Sequence, residues 1–157
     1  MKIIRFVTLA IVAGFSVIAL AQSAVTAAPR SDRERLIGAW HLVSLGEPGP
    51  DGRVNGITGL KGMLICTRDG HMSVQLMYPD AAANLSNDYV LNGYEASFGS
   101  YDLDEAKHLV THHLQGSITH GLVGKDLPRV YEFTAAGHLI IKSANPAEHW
   151  QVNLEHY

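Results

Sequence analysis

The sequence predicts an all-β fold, a small closed up-and-down barrel of about eight strands behind an N-terminal signal peptide. Three observations lead there. Beyond Arg35 no long segment has helical period. Short runs rich in Val, Ile, Leu, Tyr and Phe recur instead. Gly, Asp, Asn and Pro separate these runs at short intervals. Short strands in meander order suit a barrel or a sandwich, and closure is favoured because it leaves no exposed edge.

The N-terminus is set aside first. Lys2 and Arg5 form a short positive region, residues 6–20 carry no charge, and small residues follow, which is the pattern of an export signal. Ala19-Leu20-Ala21 and Val25-Thr26-Ala27 are both small-x-small sequences, so the signal spans residues 1–27, with cleavage after 21 as the alternative. The apolar run is short for a spanning helix, which needs roughly 20 residues. An uncut anchor is the competing outcome. No lipoprotein-type Cys stands just after the run, the single Cys being Cys66, and no twin-Arg pair precedes it, so the protein is expected in the periplasm or the medium by the general secretory route. Residues 28–35 form a lead-in, and residues 36–157 form one barrel domain.

The formal net charge of −3 becomes about −5 once Lys2 and Arg5 are removed. Nucleic-acid partners need a clustered basic face. Arg30, Arg33 and Arg35 are instead interleaved with Asp32 and Glu34 in the lead-in, a solvated pattern. The single Cys66 cannot form a disulfide within the chain. In Met63-Leu64-Ile65-Cys66 it serves as a small buried hydrophobe. No stable membrane insertion is expected after signal cleavage, and no mark of an oligomeric state stands out.

The elements follow in order. Residues 38–45 form the first strand. Residues 46–59, with Pro48, Pro50, Asp51-Gly52 and Asn55-Gly56, form a loop or a pair of turns. Strands 62–67 and 71–77 flank the hairpin turn Arg68-Asp69-Gly70. Residues 78–94, with Pro79, three alanines and Asn84, Asn87 and Asp88, form a loop with a short helix. Strands 95–103 and 108–117 flank Asp104-Glu105-Ala106-Lys107, and strands 129–134, 138–143 and 149–156 complete the set.

Gly38-Ala39-Trp40 on the first strand, the run Gly62-Met63-Leu64-Ile65-Cys66-Thr67-Arg68-Asp69-Gly70, then Ser97-Phe98-Gly99-Ser100-Tyr101 and Val110-Thr111-His112-His113-Leu114-Gln115-Gly116-Ser117 together resemble the bacterial and fungal lipocalin-like domain family, distinct from the lipocalins proper. The resemblance covers residues 36–157 and implies a lipocalin-like barrel with an internal cavity; it implies no single activity. In lipocalins proper a late Arg packs on the first-strand Trp. Residues 148–157 contain no Arg here, and Arg129 lies two strands earlier.

All nine histidines fall in the mature part. On the strand 108–117, alternation puts Val110, His112 and Leu114 on one face and Leu109, Thr111, His113 and Gln115 on the other. If the first face points inward, His112 is a polar group in an apolar cavity, able to orient a ligand or act as a base. A buried His satisfied by a backbone carbonyl or a Tyr is the competing reading. Metal binding finds no support: His108 and His112 are about 13 Å apart along a strand, and His112 and His113 face opposite ways, so a site would need His41, His71, His138 or His149 from other strands. Tyr101 shares a face with Ser97 and Gly99; Gly99 marks a bulge or a close approach. Arg129 and Tyr131 alternate with Val130. An inward Arg129 could hold a carboxylate, whereas an outward one is surface.

No Gly-x-Ser-x-Gly elbow or phosphate-binding loop is present, and no cofactor is expected. Two functions stay open. The first is binding of a small, mostly apolar molecule by His112, Arg129, Tyr101 and Tyr131, with Gly38 and Trp40 structural. The second is a cofactor-independent isomerase, cyclase or dehydratase acting on a hydrophobic substrate, with His112 as general base and Tyr101 or Arg129 as the polarising donor. The export expectation is checked by N-terminal sequencing of native protein, which should begin at or very near Gln22 or Ala28. An intact Met1 in the membrane fraction contradicts it.

Overall fold

The computed structural model describes residues 30–50 and 54–157; the signal expected over residues 1–27 lies outside them. A one-and-a-half-turn helix α1 (Asp32–Leu36) is followed by strands β1 (Gly38–Pro48), β2 (Val54–Gly56), β3 (Lys61–Cys66), β4 (His71–Met77), β5 (Tyr94–Asp104), β6 (Leu109–Ser117), β7 (Asp126–Phe133), β8 (Leu139–Ser143) and β9 (Gln151–His156). From β3 to β9 each strand pairs antiparallel with the next, and β1 pairs with both β3 and β9. Eight strands thus close into a barrel, with β2 as a short extra strand folded back on the far end of β1.

The strand pattern follows the sequence closely, with three differences. Residues 46–59 are not all loop, because β1 runs on to Pro48 and β2 pairs with it through Gly46↔Gly56. Strand β7 begins at Asp126, three residues before Arg129, and carries Pro128 within it. Strand β9 starts at Gln151 rather than at His149. The segment between β4 and β5 is largely loop, with a single 3-10 turn at Asp80–Ala82.

One end of the barrel is plugged. Ser31 caps α1 in a reciprocal capping box with Glu34, and the Glu105 carboxylate in the β5–β6 turn accepts from the Asp32 and Arg33 amides. The helix therefore sits across the barrel end and buries Leu36. Trp40 is fully buried next to it, and its indole N–H donates to the Leu36 carbonyl at 2.9 Å. Tyr131 and Phe133 meet edge to face at 5.8 Å in the same cluster, and Phe133 lies 6.1 Å from Trp40.

Gly38 is dictated by this packing. Its φ of +140° suits glycine, and a Cβ there would run into the His156 ring. Gly99 has a different cause: a Cβ would strike the His113 carbonyl of β6, beside a bulge that shifts the β5–β6 register after Phe98.

Trp40 fills the plugged end with a large side chain. Trp40→Ala should destabilise the fold by about 3–5 kcal/mol and lower its melting temperature in calorimetry. A variant as stable as wild type that had lost only ligand binding would contradict a structural role.

Candidate functional site

The other half of the barrel is hollow. A cavity of about 310 Å³ lies there, walled by apolar side chains that include Leu64, Val74, Leu76, Leu114, Ile141 and Leu154. Its mouth is bounded by the far end of β1, by Tyr89 and Val90 from the β4–β5 segment, and by Trp150 just before β9. The ionisable groups that line it are His112 from β6, Arg129 from β7, Glu95 from β5, Tyr78 just after β4, Tyr89 in the β4–β5 segment and Glu47 at the end of β1.

Alternation on β6 points His112 inward between buried Val110 and Leu114. Desolvation, reinforced by the positive charge of Arg129, pushes its pKa down to about 3. The imidazole is therefore neutral at all ordinary pH values. His113 faces the other way, between Asp126 at 2.7 Å and Asp102 at 3.1 Å. Those carboxylates, Asp126 foremost, raise its pKa against an opposing desolvation cost.

Arg129 is buried, although arginine is almost never fully buried unless paired. Its guanidinium donates to the Pro128 carbonyl at 3.3 Å and lies over the rings of Trp150 at 4.8 Å and Tyr89 at 5.5 Å. Both contacts are within cation–π range. The ion pairs of Arg and Lys among the described residues are Arg35–Asp32 and Lys107–Asp104, so no described carboxylate comes within ion-pair distance of Arg129. Glu148 fixes the two rings instead: it accepts from the Trp150 indole at 2.8 Å and from the Tyr89 hydroxyl at 3.2 Å. Partial burial opposes ionisation of Glu148, but hydrogen bonds from Trp150, Ser143, Asn145 and Tyr89 prevail and lower its pKa.

Glu95 is the group that sequence reasoning missed. It shares the inward face of β5 with Ser97. Desolvation raises its pKa to about 7, with the charge of Arg129 pulling the other way. Its own charge in turn helps burial to raise the pKa of Tyr78.

The structure brings His112 and Arg129 together in the cavity, but not Tyr101 and Tyr131. Tyr101 is opposite His112 in the β5–β6 register, yet its hydroxyl donates to the Thr67 carbonyl at 2.8 Å and it does not line the cavity. Tyr131 donates to Asp32 at 3.1 Å at the plugged end, two residues along β7 from Arg129. Both were expected at the ligand; both point inward at the wrong height.

The profile of the lipocalin-like domain family matches residues 37–155, most of the chain. The chain belongs to the lipocalin-like domain family. The solved structure of the wild-type fluorescent protein UnaG is similar over 79% of this chain and 98% of that one, at 13% identity and a TM-score of 0.37. No curated protein sequence matches the chain. This lipocalin-like barrel departs from the late-Arg arrangement as its sequence suggested. On Trp40 lies the ring of His156, 3.6 Å between centroids. The arginine that reaches the cluster is Arg35 from α1, 4.0 Å over Phe133.

The shifted pKa of Glu95 has a stability consequence with a definite sign. Its folded value, about 7, lies above the ordinary carboxylate value of 4.5, so between these values the folded state holds more proton and stability falls as pH rises. His112, depressed from 6.5 to about 3, works oppositely, and stability rises with pH across its window. A single variant separates them. Glu95→Gln should match wild-type stability near pH 4 and exceed it by about 1–3 kcal/mol above pH 8, measured by urea unfolding across that range. A pH-independent difference would contradict a raised Glu95.

Proposed function

We infer that this protein is exported and binds a small, mostly apolar molecule in the barrel cavity, with a carbonyl or carboxylate end of the ligand held by Arg129. The observation that carries this reading is the buried guanidinium facing the cavity without an ion-pair partner among the described residues. A buried cation is costly unless paired, and the aromatic faces of Trp150 and Tyr89 offset only part of that cost. An acceptor oxygen on a ligand supplies the rest. The neutral His112 adds a second hydrogen bond, and the apolar walls take the body of the molecule. At about 310 Å³ the cavity is near the small end of ligand sites, which run from roughly 300 to 1,000 Å³, so the ligand is compact. Membership in the family supports a small-molecule role without naming the molecule.

Trp150 lines the cavity and Trp40 lies outside it, so ligand entry is readable in tryptophan fluorescence. Two probes that differ by one carbonyl, tetralin and 2-tetralone, separate the apolar and polar contributions. Arg129→Met and His112→Phe should each weaken 2-tetralone by about 1–3 kcal/mol and leave tetralin within about twofold of wild type. His113→Phe, on the outer face, should change neither. Loss of ketone binding in His113→Phe, with His112→Phe and Arg129→Met unaffected, would contradict the reading. Native mass spectrometry of protein from its own host then identifies the natural ligand.

A further inference from the structure

We propose that the cavity also catalyses proton transfer on a bound enolisable ketone, with the Glu95 carboxylate as base and the Arg129 guanidinium holding the carbonyl oxygen. The proposal rests on the binding reading above and goes beyond it, because a carrier needs no base. The cavity holds two functional groups of opposite kind that do not neutralise each other. Arg129 is a fixed cation with no described carboxylate at ion-pair distance, clamped by Trp150 and Tyr89. Glu95 lines the same walls and senses the charge of Arg129. A ketone whose oxygen meets the guanidinium therefore lies in the same small chamber as a carboxylate oxygen.

The step balances without a cofactor. Glu95 removes a proton from the carbon next to the carbonyl. The C–H pair becomes the C=C bond of an enolate, and the carbonyl π pair moves onto oxygen, where the guanidinium stabilises it. Glu95 then gives a proton back. Return to the same carbon yields exchange once the carboxyl has traded its proton for a solvent deuteron through the cavity mouth. Delivery to the γ-carbon of a β,γ-unsaturated ketone shifts the double bond. The substrate class is thus an apolar enolisable ketone, and the products are its isomers.

Glu95 fits this role better than His112. A group that must both take and return a proton works best with a pKa close to the working pH, and Glu95 at about 7 meets that condition. His112, held at about 3, is a feeble base; as a neutral imidazole it donates a hydrogen bond. The other ionisable groups around the cavity are Tyr78 after β4, Tyr89 in the β4–β5 segment and Glu47 at the end of β1. The Glu95 and His112 shifts have the same leading cause, burial, which disfavours the charged form of each group. The apolar walls lower the local dielectric, which strengthens the guanidinium's pull on the developing charge.

Exchange of the C1 protons of 2-tetralone in D2O, followed by NMR, tests the proposal, with occupancy measured in parallel by tryptophan fluorescence. Wild-type protein should accelerate exchange saturably above the buffer rate. The bound rate should rise with pH to a plateau, with its midpoint near the Glu95 value of about 7. Glu95→Gln at saturating ketone should lose about 10²–10⁴-fold of the protein-dependent rate, and Glu95→Asp should keep a measurable part of it. If the ketone occupies the wild-type cavity and exchanges at the buffer rate, the proposal is overturned and the binding reading stands. A Glu95→Gln protein as fast as wild type overturns it as well. If the ketone does not bind, the binding reading and this proposal fall together.

Discussion

Strand β1 hydrogen-bonds to β3 along one edge and to β9 along the other, and that double pairing makes a barrel out of what would otherwise be an open meander. The β1–β9 register slips at Val43, between Leu42 and Ser44, a bulge of the kind that bends a strand and increases its twist. Closure fixes the interior. An eight-stranded barrel has room for its own side chains or for one small ligand, and here the two are divided along the axis. Trp40, Tyr131 and Leu36 fill the end covered by α1. Smaller aliphatic side chains line the other end and leave it hollow.

The hollow half then sets the electrostatics. Inside apolar walls a charge is poorly solvated, and each ionisable group responds according to its type. His112 gives up its proton, Glu95 keeps one to higher pH, and the Arg129 guanidinium turns to aromatic faces for partial compensation. Glu148 steadies those faces from outside the guanidinium's reach, tying the β4–β5 segment to the start of β9 through Tyr89 and Trp150. The mouth of the cavity and the orientation of its cation are therefore one connected unit.

Much of this was legible in the sequence, for reasons specific to each element. The hairpins at Arg68-Asp69-Gly70 and at residues 104–107 announced themselves by turn chemistry. The inward direction of His112 was readable because Val110 and Leu114 share its face. Arg129 was ambiguous because Val130, on the outer face, is apolar and 40% exposed. On β5 the usual signal is inverted: Tyr94 and Phe98 face outward while Glu95 faces the cavity. Extending the Ser97, Gly99 and Tyr101 face by two residues would have found Glu95. Tyr101 and Tyr131 show the opposite limit. Alternation gives the face of a residue but not its height, and at about 3.3 Å per residue two positions along β7 carry a side chain from the cavity into the plug. Tyr89 and Trp150 lie outside the strands and have no periodicity to read.

A cation and a carboxyl share one ligand chamber, and a crystal structure with bound 2-tetralone tests that most directly. The ketone oxygen should lie within hydrogen-bond distance of the Arg129 guanidinium, with the ring between Leu114 and Ile141 and the C1 carbon turned toward Glu95. A ketone bound on the outer surface, or seated in the cavity with its oxygen away from Arg129, would contradict it.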